Sequence, residues 1–111
     1  MIDALIAGKI YGTPKSGIGK SGADYVNAMV RVATAGGDSL MCSVIAFDEA
    51  ARNGLMALGN GDGVSLSGTL TPKVYRDKNG EYRPSADMLA SAVLSPYQVK
   101  RKRQAAEGGN A

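Results

Sequence analysis

The feature that most constrains the fold of this chain is a period-two alternation of apolar and polar side chains, repeated in five stretches. In residues 24–34, for example, Val26, Ala28, Val30 and Val32 alternate with larger or polar side chains. A period of two with frequent β-branched residues is typical of a half-buried β-strand. Similar patterns predict four further strands, at residues 2–11, 39–47, 64–77 and 81–95.

The alternation is interrupted once, in residues 48–58, where the spacing of apolar residues becomes helical. Asp48 can cap the N-terminus of this helix, Leu55 and Leu58 recur on one face, and a glycine-rich segment ends it. The connections between strands hold turn-forming residues. We predict a loop at residues 12–23, a short turn at 35–38 and a two-residue hairpin turn at Asn79-Gly80.

Three strands, one helix and two further strands is the element order of the oligonucleotide/oligosaccharide-binding (OB) fold. A generic SH3-like barrel is the alternative, although a central helix would be unusual there. Gly8 and Gly68 lie inside predicted strands and suit the sharp coiling of a small barrel. We therefore predict an all-β fold, a five-stranded OB-fold barrel with one short helix between strands 3 and 4. The barrel domain spans residues 1–97, and a basic, disordered tail follows at 98–111.

Composition narrows the function classes. The 111 residues suffice for one domain, and they include no histidine and a single cysteine, Cys42. Without histidine the usual general base and the commonest transition-metal ligand are missing. A lone cysteine among apolar neighbours favours a buried thiol in a reducing compartment. No stretch resembles a membrane span or a secretory signal. We expect a cytoplasmic, nucleoid-associated protein that is not an enzyme and needs no cofactor or metal.

Charge is distributed unevenly along the chain. The net charge is +3, but residues 1–70 carry five cations against six acids, whereas residues 71–111 carry eight cations against four acids. Four of those eight cations form the run Lys100-Arg101-Lys102-Arg103. A basic second half suits a polyanionic partner. A solvated tail that keeps the protein soluble would explain the same run equally well.

The stretch Gly19-Lys20-Ser21 is similar to the end of a phosphate-binding P-loop. That motif needs a glycine five positions before Gly19, where this chain has Pro14, and a helix after it. Residues 24–34 are a predicted strand, so no helix N-terminus is available to hold a phosphate. We expect Lys20 to contact a nucleic-acid backbone rather than a nucleoside triphosphate.

Several stretches resemble bacterial-type single-stranded DNA-binding proteins, in the same order along residues 2–95. The stretches "IAGKIYGTP", "VRVAT" and "SVIAFDEAA" resemble the first three strands of that family. The most specific stretch is "GDGVSLSGTLTPKVYRDKNGEYR". It resembles the family pattern KG-x-x-V-x-V-x-G-x-L followed by aromatic-x-D-x-x-G-x-x-R. The matching positions are Gly63, Val64, Leu66, Gly68, Leu70, Tyr75, Asp77, Gly80 and Arg83.

The resemblance implies roles for particular side chains, because this family stacks bases on aromatic residues and contacts phosphates with Lys and Arg. Tyr75 matches a stacking position on strand 4, and Phe47 matches one at the end of strand 3. Met41 stands where the family usually has tryptophan. Lys73 fits a phosphate contact, and Arg83 matches the arginine of the motif. The chain has no acidic tail with an apolar tip, so the resemblance does not imply docking of repair enzymes there.

The alternation pattern independently places large apolar side chains of strand 3 on its outer face, as a stacking platform or a subunit interface requires. Tyr25 and Arg31 share the outer face of strand 2, where a plain solvated edge is equally compatible. Phe47 leads into the helix and could instead belong to the core. The candidate nucleic-acid-binding residues are Lys15, Lys20, Tyr25, Arg31, Met41, Phe47, Lys73, Tyr75 and Arg83.

The sequence thus predicts a non-catalytic protein that binds single-stranded DNA, with little sequence preference, in replication, recombination or repair. RNA is a possible ligand as well, because stacking and phosphate contacts do not distinguish the two. We expect a homodimer or homotetramer, with replication or recombination proteins as further partners and no membrane association. The alternatives are a primosomal assembly protein that binds both partners and DNA, and a barrel that binds proteins only.

Overall fold

A computed structural model describes residues 2–94 of the chain. Five strands and one helix follow each other in the order β1 (Ile2–Ile18), β2 (Asp24–Ala33), β3 (Ser39–Ala46), α1 (Glu49–Met56), β4 (Gly63–Arg76) and β5 (Tyr82–Leu94). The strands close into a barrel with the neighbour order β1-β2-β3-β5-β4, in which β3 and β5 are parallel and all other pairs antiparallel. This confirms the predicted barrel and the helix between strands 3 and 4. The basic run and the rest of the predicted tail lie outside the described residues.

The period-two pattern sorts side chains as expected, because successive residues of a strand point to opposite faces. On β2 and β3 the even-numbered residues point inward, and Val30, Cys42 and Val44 are completely buried. Burial, and secondarily the charge of Asp87, raises the pKa of the Cys42 thiol to about 11, so the thiol is protonated at neutral pH. The prediction of a buried cysteine is confirmed.

Helix α1 packs against strands β1, β2, β3 and β5 of the barrel. Asp48 caps it, its carboxylate accepting a hydrogen bond from the Ala51 amide at 3.2 Å. Ala51 and Leu55 are the buried residues of the helix, and they pack into the same core as the strands. Within the described range, α1 spans only eight residues and is too short to cross a membrane.

Strand β1 is longer than the sequence pattern predicts. The predicted loop includes residues 12–18, but these belong to β1, and residues 15–18 pair with β2 after an irregularity between Tyr11 and Lys15. Gly12 adopts a left-handed φ of 81° at this break, and its amide donates to Asn60 Oδ1 at 2.8 Å. The connection to β2 is therefore the short segment 19–23. The prediction of a loop at residues 12–23 was wrong for its first seven residues.

Strands β4 and β5 project from the barrel as a two-stranded ribbon. Residues 71–76 of β4 are exposed on both faces, in contrast to the buried Val64 and Leu66 earlier in the strand. Arg76 pairs with Tyr82, so the connecting turn comprises residues 77–81. The predicted hairpin lies at the expected place, but its turn has five residues rather than two.

Candidate nucleic-acid interface

The outward side chains of β2, β3, β5 and β4 form one continuous surface, which we call the groove face. Strand register places Met41 of β3 between Arg31 on β2 and Ser85 on β5, and Ser85 pairs in turn with Lys73 on β4. The next line of outward residues runs from Met29 through Ser43 and Asp87 to Thr71. The groove face comprises Tyr25, Asn27, Met29, Arg31, Met41, Ser43, Ile45, Thr69, Thr71, Lys73, Tyr75, Arg83, Ser85, Asp87 and Leu89.

Two shallow grooves cross this face and meet at Asp87. One has a volume of about 390 Å³ and is lined by Met29, Met41 and Tyr75 with Asp87. The other, of about 480 Å³, is lined by Asn27, Ile45, Leu89 and Asp87 among others. Both volumes fall in the range of about 300–1,000 Å³ that is common for ligand pockets. The first groove has walls of sulfur and aromatic side chains, against which a flat aromatic ligand can pack.

Cations border the grooves, and two of them have partners. The Lys73 ammonium contacts Asp87 Oδ2 in an ion pair whose side chains are both about half exposed. The Arg31 guanidinium lies 4.9 Å from the centre of the Tyr11 ring, in a cation–π contact. Such exposed contacts contribute little to stability, so both cations can turn to an incoming ligand at low cost.

Arg83 is engaged in the ribbon turn rather than free on the surface. Its Nε donates to Asp77 Oδ2 at 2.8 Å, and its Nη2 lies 3.6 Å from Glu81 Oε2. The hydrogen bond from Arg83 and backbone amide donors of Glu81 and Asn79 hold the pKa of Asp77 below its usual value. The carboxylate of Asp77 in turn raises the pKa of Arg83. Arg83 thus stabilises the turn that connects the two strands of the ribbon.

Tyr25 and Phe47 form a separate aromatic pair at the end of the face near α1. Their ring centroids are 6.4 Å apart in an edge-on arrangement. The Tyr25 ring also covers Gly17 so closely that a Cβ on this glycine would lie 2.6 Å from the ring. Phe47 remains about half exposed despite leading into the helix. This pair therefore offers an aromatic edge at one end of the groove face.

The predicted lysines lie on and beyond β1. Lys15 belongs to the extended part of that strand and pairs with Asn27, next to the larger groove. Lys20 is exposed in the β1–β2 turn, which closes through a hydrogen bond from the Gly22 amide to the Gly19 carbonyl. The structure thus brings Arg31, Met41, Lys73 and Tyr75 together. It sets Lys20 and the Tyr25–Phe47 pair at the periphery.

Sequence reasoning missed three contributors to this surface. Met29 lines the smaller groove, Tyr11 packs under Arg31, and Asp87 lies where the two grooves meet. The alternation of β1 could have identified Tyr11, because it shares the outward parity of Lys9. No local signal marks Asp87, whose partners belong to β3 and β4.

Comparison with known proteins supports the architecture. No protein-family model matches the sequence, and neither does any curated protein. Among solved structures, the small single-stranded DNA-binding protein from Streptomyces coelicolor is similar, with a TM-score of 0.68 and 24% identity over 85% of this chain and 93% of that one. The mitochondrial single-stranded DNA-binding protein Rim1 of S. cerevisiae is also similar, with a TM-score of 0.63 and 14% identity. That alignment covers 86% of this chain and 94% of the Rim1 chain.

The chain has an OB-fold. Both similar structures are almost completely covered by the alignment, so the likeness extends over the whole barrel and not over a shared fragment. It agrees with the closed five-stranded barrel and with the single helix between β3 and β4.

Proposed function

We propose that this protein binds single-stranded DNA on the groove face, without catalysis and with little dependence on sequence. The observation that carries the proposal is the first groove, in which Tyr75, Met41 and Met29 form an apolar floor next to Lys73 and Arg31. Surfaces that bind single strands combine stacking side chains with cations that follow the backbone. Every base has an aromatic face, so stacking alone tolerates any sequence.

In the proposed mechanism, one set of side chains contacts the bases and another contacts the phosphates. Tyr75 and the two methionines provide contact area for unpaired bases, while Arg31, Lys15 and Lys20 neutralise phosphates. A duplex cannot present its bases to this face, because they are already stacked and paired. The protein would therefore hold DNA unpaired, a task needed in replication, recombination and repair. RNA would be bound by the same contacts, since none of them recognises the sugar.

The similar structures from Streptomyces coelicolor and yeast mitochondria support this proposal, since both are described as single-stranded DNA-binding proteins. We further propose a homodimer or homotetramer in the cytoplasm, associated with the nucleoid. Leu5, which is 74% exposed on the outer side of β1, is an apolar group that a second copy could cover. Sedimentation of the purified protein over a range of concentrations tests this, and a monomer throughout would contradict it.

Fluorescence anisotropy with a labelled oligothymidine and a duplex of equal length tests the binding function. We expect tight binding to the single strand, weak binding to the duplex, and affinity that falls with salt. The salt slope gives the number of phosphates contacted, at about 0.7 per contact for single strands. Equal or negligible binding to both forms would contradict the proposal.

The opposite face of the ribbon favours a second candidate function, as a primosomal or other assembly protein. Val74 and Tyr82 are 67% and 73% exposed there, on the side away from Tyr75. An exposed apolar pair of this kind suits a protein partner. In that case Val74→Ser would abolish complex formation with replication proteins and leave DNA affinity unchanged.

A further inference from the structure

The ion pair between Lys73 and Asp87 occupies an unusual place for a surface that binds a polyanion. Asp87 is the one acidic side chain of the groove face as defined above, and it lies where both grooves meet. A carboxylate repels phosphate, and Lys73 is partly neutralised by its contact with Asp87. This point of the face is therefore better suited to a neutral polar group than to the DNA backbone.

The pair displays a donor next to an acceptor. The Lys73 ammonium contacts Oδ2 of Asp87, and among the described residues no hydrogen-bond donor engages Oδ1. Lysine carries donors only and an ionised carboxylate carries acceptors only. A ligand that matches the pair thus needs an acceptor on one side and one or two donors on the other.

Tyr75 brings such a ligand within reach. It follows Lys73 by two positions on the same face of β4, a spacing of about 7 Å along the strand. A base that stacks on the Tyr75 ring can therefore direct its edge toward Lys73 and Asp87. Met41 and Met29 line the same groove, so they can contact the base beside Tyr75.

Among the four DNA bases, guanine fits this arrangement best. Its Watson–Crick edge carries the O6 acceptor followed by two donors, N1–H and the N2 amino group. Lys73 can donate to O6 while the Asp87 carboxylate accepts from N1–H and N2–H. Thymine has one donor between two carbonyl oxygens, so one oxygen would face the carboxylate without a proton between them. Adenine and cytosine can satisfy at most two of the three contacts.

We propose that Lys73 and Asp87 together read the edge of a guanine base stacked on Tyr75. The inference rests on the proposed function and adds a base preference at one nucleotide of an otherwise tolerant site. A good bidentate contact to a base discriminates by about 5-fold at the lower end of its range. We expect about that preference here, because both side chains are half exposed.

The test uses the full chain and short single strands of about eight nucleotides, near the site size of an OB-fold. Strands of thymidine carry one central thymidine, guanosine, inosine, adenosine or cytidine, and anisotropy gives the Kd of each. We expect guanosine to bind about 5-fold more tightly than thymidine. Inosine lacks the N2 amino group and should lose most of the gain.

Two variants test whether the preference for guanosine depends on Asp87. Asp87→Asn should abolish the preference for guanosine over thymidine, because an amide cannot accept two donors from the base. Asp3→Asn makes the same change of charge at an exposed residue that lines neither of the two grooves, and should preserve the preference.

The outcomes separate the inference from the function. Tight binding of all strands with equal affinity would overturn the guanine contact and leave the proposed function intact. Equal gains for guanosine and inosine, or a preference that survives in Asp87→Asn, would likewise overturn it. If Asp87→Asn changes the affinity for every strand by the same factor, Asp87 only positions Lys73 and the inference fails. No binding to any strand would overturn both proposals.

Discussion

At the scale of single residues, two tyrosines on the β4–β5 ribbon provide a matched pair. Tyr75 faces the groove, and Tyr82 lies on the opposite side of the same ribbon. We predict that Tyr75→Ala weakens binding of single-stranded DNA by about 1–3 kcal/mol, the contribution of one stacked base. Tyr82→Ala is the control, because it removes the same type of side chain from a more exposed position. It should leave the Kd for single-stranded DNA unchanged. Equal losses in both variants, measured by anisotropy, would contradict a stacking role for Tyr75.

The same residues show what sequence alone reveals about a site. The outward positions of Met41 and Tyr75 follow from period-two alternation, which is a local property of one strand. The meeting of Lys73 with Asp87 depends on the pairing of β4 with β5, and the groove around them depends on the parallel pairing of β5 with β3. These contacts join residues far apart in sequence, so no local pattern marks Asp87. The sequence therefore predicts which side chains share this face but not which polar groups meet on it.

At the scale of strands, Gly68 lies at an irregularity in the pairing of β4 with β5, between Ser67 and Gly68. A Cβ at this position would lie 2.0 Å from the Leu89 carbonyl oxygen, which is backbone and has little freedom to move. We predict that Gly68→Ala lowers the free energy of unfolding by about 1–3 kcal/mol or more. Gly36→Ala is the control, because a Cβ there has no neighbour within 4 Å. Urea denaturation measures both, and similar midpoints for the two variants would contradict this prediction.

The length of β1 shows why an element boundary could not be predicted. Residues 12–18 include Gly12, Pro14 and Gly17, which are typical of loops. They belong to β1 because residues 15–18 pair with residues 24–27 at the start of β2. Tertiary pairing outweighs local propensity here. The helix was predictable because its cap, its periodicity and its terminating glycines lie within one short segment.

The ribbon turn should respond to acid. Hydrogen bonds from Arg83 and from the backbone lower the pKa of Asp77 in the folded chain below its ordinary value of 3.8. Ionised Asp77 thus stabilises the turn at every pH above 3.8, and this stabilisation is lost as the pH falls through the lower folded pKa. We predict that the amide resonances of Asn79 and Glu81 shift together only below pH 3.8. Asp77→Asn should remove this transition, and a transition near neutral pH would contradict the assignment.

At the scale of the whole molecule, the net positive charge is separated along the chain from the residues that form the barrel. Residues 98–111 carry four cations and one acid, a net charge of +3 that equals the net charge of the whole chain. Residues 1–97 are therefore neutral overall. Under the proposed function, we expect the attraction of the barrel for DNA to come from the positions of Lys15, Lys20 and Arg31 rather than from net charge.

This separation allows the contributions of tail and barrel to be measured independently. Replacing the four cations of the run 100–103 by glutamine keeps the length of the chain and removes charge only outside the described residues. If these cations contact phosphates, the salt slope of single-strand binding should fall by about 0.7 for each lost contact, and affinity at low salt should fall with it. Stacking on the barrel does not depend on the tail, so the preference for single strand over duplex should persist. A variant with an unchanged slope would show that the tail does not contact DNA. A variant that binds duplex and single strand alike would show that the groove face is not the site.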